Sequence, residues 1–269
     1  MPSIDIDSYK TVKLAKRGAV LTATLSNPGK KNAFFPAMGA DLDRLWRDVD
    51  YDEDVRVVVL TGEGDAFCAG LDLSYLSAGA GTGSRIRRKG QTKGIRSRIY
   101  DMLDCETPII SKVRGPAYGL GVNICLSADI VVAAENAVFC DSHVSNGIAA
   151  GDGGVAMFPL LIGFHRAKEA LMLGRRIPAR RAEEIGLINH CVPDEELDAF
   201  VDAMADEFAE GAPLAISWTK LSINALLKQQ IIGAFETSVA YDVLSLETDD
   251  VTEGTQAFLE KRKPRFQGN

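Results

Sequence analysis

Two glycine-rich turns and one histidine–aspartate pair carry the clearest chemistry in this sequence. Ala66-Phe-Cys-Ala-Gly-Leu-Asp-Leu73 follows a short apolar run at 56–61, and Gly115-Pro-Ala-Tyr-Gly-Leu-Gly-Val-Asn123 follows a second at 108–113. Small residues and glycine let backbone approach a partner closely. The second turn opens a helix, whose first N–H groups are unpaired and whose dipole favours negative charge there. Set side by side, two such turns can aim one N–H each at a single oxygen, the arrangement that stabilises an enolate or a tetrahedral intermediate. Taken singly, each is an ordinary tight turn. His143 adds a group that titrates near neutrality and suits general acid–base work. Asp152 follows nine residues later in Ala150-Gly-Asp-Gly-Gly154. It either caps a helix over 153–161 or supplies a carboxylate to His143. Asp141, Ser142, Ser145 and Asn146 are lining candidates for the same pocket, with surface-loop positions as the plain alternative.

The elements that must hold these groups can be read from periodicity. Residues 11–26 alternate as two strands with a turn at Arg17-Gly18, and 36–49 form a helix with Met38, Leu42, Leu45 and Trp46 on one face. Runs at 56–60, 108–113 and 130–133 read as short strands buried on both faces. This strand–turn–helix rhythm gives an α/β core over 1–194. From 195 to 269 the pattern is helical, in segments 194–210, 214–228, 230–246 and 252–262.

Composition narrows the function. A net charge of −7 over 269 residues argues against general nucleic-acid binding. The five cysteines lack CxxC spacing and read as reduced, buried thiols, which implies a cytoplasmic setting. No run reaches the roughly 18 apolar residues of a membrane span, and Met1 to Lys10 has no signal-peptide character. Three histidines, at 143, 165 and 190, have no metal-ligand spacing, so no metal site is expected. Arg85, Arg87, Arg88, Lys89, Lys93, Arg96 and Arg98 form an acid-free basic stretch. It reads either as a solvated face or as a site for phosphate or a substrate carboxylate. Phe34, Phe35, Leu76 and Met102 hint at an apolar pocket lining.

The two turns resemble the oxyanion motifs of the crotonase (enoyl-CoA hydratase/isomerase) superfamily. Asn27-Pro-Gly-Lys-Lys-Asn-Ala33 resembles its early coenzyme A contact, Pro178 to Val192 its central helical segment, and Phe258-Leu-Glu-Lys-Arg-Lys-Pro-Arg-Phe266 its C-terminal signature. The resemblance implies a spiral of ββα units with a helical C-terminal trimerisation region. It implies an oxyanion hole from the amides of Leu71 and Leu120, and substrate contacts at Lys30, Ala69, Asn123, Phe258 and Lys261. Coenzyme A would enter as part of an acyl-CoA substrate, with no separate cofactor, and the assembly would be a homotrimer or a dimer of trimers.

The sequence departs from the hydratases of that family where they carry two glutamates: Asn123 and His143 stand there instead. His143 with Asp152 resembles the branch that includes oxocamphor hydrolase, in which such a pair activates water. Three readings follow: an acyl-CoA enzyme other than a two-glutamate hydratase, a CoA-independent hydrolase of a cyclic β-diketone, and a non-catalytic RNA-binding or scaffolding protein. On the first reading His143 takes the proton and Asp152 orients its ring.

Overall fold

The computed structural model describes residues 3–72, 74 and 85–269, with backbone alone for 85–91. The strands are β1 (Val12–Arg17), β2 (Val20–Leu25), β3 (Val57–Gly62), β4 (Ile109–Val113), β5 (Pro116–Tyr118), β6 (Ile130–Ala134), β7 (Val138–Cys140), β8 (Ile177–Pro178) and β9 (His190–Val192). The helices are α1 (Pro36–Asp50), α2 (Arg85–Asp104), α3 (Leu120–Leu126), α4 (Gly154–Ile162), α5 (Phe164–Leu173), α6 (Ala179–Glu184), α7 (Leu197–Glu210), α8 (Pro213–Ser245) and α9 (Asp249–Leu259).

One sheet runs β1-β2-β3-β4-β6-β9, antiparallel only at β1–β2; a smaller one runs β5-β7-β8. The larger sheet is apolar on both faces because helices cover both. Val58 and Leu60 of β3 join the main core with Leu42, Leu45 and Trp46 of α1. Val57 and Val59 point the other way, onto Leu197, Val201 and Ala205 of α7. Because β3 and β4 are parallel neighbours, with Val58 opposite Ile109, the turns that leave their C-terminal ends emerge side by side.

The strand and helix expectations hold to within a residue or two through β6. The C-terminal region differs. The segments expected at 214–228 and 230–246 are one helix, α8, of 33 residues and about 50 Å. No proline interrupts it, and its single glycine, Gly233, is too weak a breaker to end it. Lys220 fixes α8 to the sheet layer through Asp129 at 2.8 Å and the Thr107 carbonyl at 2.9 Å.

Candidate active site

The two glycine turns are bonded to each other. Cys68 pairs with Ala117 in a parallel bridge, and Tyr118 N–H donates to the Cys68 carbonyl at 2.9 Å. Gly70 (φ 90°) and Gly119 (φ 51°) sit in the left-handed region at the crossing, where a Cβ on Gly70 would lie 2.8 Å from the Tyr118 carbonyl. A bridge to Phe34 uses the carbonyl of Gly70 and the N–H of Asp72, leaving the Leu71 N–H out of the pairing. Leu120 is the first residue of α3, where a helix has no internal acceptor for it. Neither the Leu71 nor the Leu120 N–H donates to a partner among the described residues. Both residues line one cavity of about 1410 Å³.

His143 and Asp152 line the same cavity. A Cβ on Gly119 would lie 3.7 Å from His143 Cε1, so the imidazole stands beside the second turn. Asp152 lies 3.1 Å from His143 through Oδ2 and Nε2, as expected. It does not cap α4, which starts without any side-chain cap. The expected division of labour needs correction. Asp141, first placed only as a lining candidate, holds Nδ1 at 2.5 Å from behind. Asn123 is fully buried and donates its amide N–H groups to Asp141 (3.2 Å) and Asp152 (2.5 Å). It does not line the cavity as expected of a substrate contact; its amide joins the two carboxylates instead. Sequence spacing hid this because the four residues meet across a turn, a helix start and a strand end.

The charges set the protonation. Burial disfavours a charged ring at His143. Asp152 and Asp141, one on each nitrogen, outweigh it and hold the imidazolium well above its ordinary range. Burial likewise opposes a charged Asp141, but the facing imidazolium and the hydrogen bonds keep its carboxyl below its usual value. His143 is therefore held as the imidazolium near neutral pH, whereas a ring that accepts a proton was expected. The same three residues bring one ligand atom each within 4.8 Å of one another, so they are also the candidate holders of a cation.

Asp242 of α8 completes the group and carried no sequence signal. It is buried and lines the cavity; Gly151 makes room for it, since a Cβ there would meet Asp242 Cβ at 2.2 Å. Burial and the charge of Asp152 push Asp242 up to about 7. In the unfolded chain it releases its proton near 3.8. The folded state thus binds more protons between these values, and stability is lost as pH rises towards 7. Asp242→Asn removes that loss. Its stability relative to wild type should rise by about 2–3 kcal/mol between about pH 5 and pH 8, read from denaturant melts. A difference that stays flat over that range would mean Asp242 does not titrate there.

Other expected contacts divide. Lys30, Ala69 and Phe258 line the cavity, and Lys30 is paired with Asp72 at 2.6 Å. Lys261 does not line it; the chain turns there in a left-handed conformation (φ 56°), and Arg262 faces the cavity instead, anchored to Glu253 at 2.6 Å. Phe34 lines the pocket, whereas Phe35 packs against the core and Met102 is buried within it. Leu76 and the side chains of Arg85, Arg87, Arg88 and Lys89 lie outside the described residues. Arg96 pairs with Glu236, while Arg98 turns into the cavity. The cysteines are free; burial pushes the Cys68 thiol up to about 12, so it is no nucleophile. No described helix is long and apolar enough to cross a membrane.

The fold and the paired turns define an α/β protein with two unpaired backbone N–H groups carried by residues of one cavity. The enoyl-CoA hydratase/isomerase family model matches residues 15–269. An enoyl-CoA hydratase of Mycobacterium tuberculosis is 32% identical over 269 residues, covering 97% of this chain and 98% of that protein. The 1,2-epoxyphenylacetyl-CoA isomerase of Escherichia coli is 30% identical over 249 residues, covering 93% and 95%. A crystal structure of an enoyl-CoA hydratase/isomerase from Mycobacterium paratuberculosis superposes with a TM-score of 0.86 at 33% identity, covering 91% of this chain and 97% of that one. The chain belongs to the enoyl-CoA hydratase/isomerase family, within the crotonase superfamily, and is an enzyme.

Proposed function

We propose that the chain transfers a proton at the acyl carbons of a coenzyme A thioester. The thioester oxygen sits between the amides of Leu71 and Leu120, which stabilise the enolate as charge develops on it. Asp152 takes a proton from carbon. The His143 imidazolium, held by Asp141, keeps the receiving carboxylate aligned and returns a proton to the product. One observation carries this reading: Leu71 and Leu120, whose N–H groups have no described partner, line a single cavity with the His143–Asp152 pair. Lys30, Lys31 and Arg262 place cations around the same cavity, where the phosphates of coenzyme A would lie. Coenzyme A is part of the substrate, and the reaction needs no separate cofactor.

Calorimetric titration with acyl-CoA thioesters, followed by NMR in deuterium oxide, tests the proposal. Thioesters should bind, and deuterium should enter the acyl chain in wild type but not in Asp152→Asn. Crotonyl-CoA hydration should be slow, since no carboxylate pair stands where the family's hydratases carry theirs. Turnover of a cyclic β-diketone with no thioester binding would transfer the site to CoA-independent hydrolysis.

We further propose a trimer or dimer of trimers. Support comes from large apolar side chains left exposed along α8 and α9, including Trp218, Ile223, Leu226, Tyr241, Leu244 and Phe258. A stable monomer by sedimentation at micromolar concentration would overturn this.

A further inference from the structure

Arg98 is a cation lining the cavity that makes no hydrogen bond or ion pair among the described residues. It stands on the inner face of α2 between the buried Ile95 and Ile99. Its guanidinium lies over the Phe34 ring at 4.5 Å. Its Nε is buried and donates no hydrogen bond, and it forms no ion pair with any described carboxylate. Asp43 and Asp152 both act on its charge from a distance, yet neither reaches it. Of the other cavity cations, Lys30 is tied to Asp72, Lys31 to Asp65 and Arg262 to Glu253 and Glu260, while Arg176, also without a described ion pair, is exposed to solvent near the Tyr118 ring.

A half-buried guanidinium whose Nε is buried and unmet is costly, and its contact with Phe34 leaves that donor unsatisfied. The fold nevertheless makes room for it. A Cβ on Gly39 would lie 3.2 Å from Arg98 Nη2, and one on Gly94 would lie 3.1 Å from the same atom. Phe34, under the guanidinium, bridges to Leu71 of the first glycine turn, and Asp152 acts on the Arg98 charge, which puts Arg98 towards that end of the cavity. Lys30, by contrast, is half exposed and suits a phosphate reaching in from solvent.

We propose that Arg98 binds a carboxylate on the acyl group, so that the substrate is the coenzyme A thioester of a dicarboxylic acid. This rests on the acyl-CoA reading above. A planar guanidinium presents two parallel N–H donors that match a carboxylate, and Phe34 holds the plane in place. The apolar wall around it strengthens the pairing by excluding water.

The test is calorimetry with matched thioesters: succinyl-, glutaryl- and adipyl-CoA against butyryl-, valeryl- and hexanoyl-CoA. At least one diacid thioester should bind wild type roughly 10- to 100-fold more tightly than its neutral counterpart. Arg98→Met should abolish that preference while leaving the neutral thioesters bound as before, which also shows that the variant is folded. Arg98→Lys should restore part of it. Neutral thioesters binding as well as every diacid partner in wild type would overturn the Arg98 assignment alone. Arg98→Met weakening both series equally would overturn it too, in favour of a packing role. Failure of both series to bind wild type would instead remove the acyl-CoA reading, and this inference with it.

Discussion

Asp152→Asn should lower turnover of the cognate thioester by roughly 100- to 10,000-fold, the usual worth of a positioned acid–base group. The amide keeps the shape and one acceptor oxygen but cannot take a proton. His143→Ala should fall by a similar factor. The double variant should fall little below the worse single one, because Asp141, His143, Asp152 and Asn123 form one connected chain of hydrogen bonds and act as a unit. Thioester affinity should change much less than turnover. Asp152 makes no cap bond to α4, so the effect cannot come from loss of the helix start. Near-wild-type turnover in Asp152→Asn, measured with the cognate thioester, would remove this carboxylate from the mechanism.

Leu120→Pro should cost roughly 100- to 1,000-fold in kcat, the measured scale for losing one oxyanion donor. Leu120 is the first residue of α3, the helical position that tolerates proline because its N–H has no helical acceptor. The substitution therefore deletes the proposed donor while the helix can remain. A thermal melt and calorimetry should show a folded chain that still binds the ground-state thioester, since the amide works mainly on the charge that develops later. Unchanged kcat in a folded Leu120→Pro would place the oxyanion elsewhere. A change confined to KM would mean the amide serves binding only.

The two predictions draw on information of different kinds. The assignment to Leu71 and Leu120 came from the resemblance to the family's oxyanion motifs, whereas the two glycine turns were legible because a turn after a strand follows from local pattern. The same holds for β1 to β4, whose alternation or continuous apolarity follows from which faces are covered. His143 and Asp152 were legible as candidates because their residue types suit acid–base work and they flank one glycine turn.

The protonation of His143 was not legible. It depends on the net field at His143, and that field comes from two carboxylates brought to opposite ring nitrogens. Asp141 looked like loop surface because a one-dimensional reading cannot tell which side of a turn is buried. Asp242 lies on a helix that sequence pattern divided in two, and only the continuous α8 carries it to Gly151. Arg98 was one of seven basic residues with equal claims; helix rotation alone decided that Arg96 meets Glu236 while Arg98 enters the cavity.

The sequence by itself determined the α/β core, the family, the two glycine turns and the acid–base candidates, because each rests on periodicity, on residue types a few positions apart or on the family's motifs. Only the tertiary structure decided which carboxylates hold His143, whether its ring is protonated and which basic residue of α2 enters the cavity. Those depend on burial and on distances between residues far apart in the chain, where electrostatic energies change by several-fold over a few ångströms and between water and a low-dielectric interior.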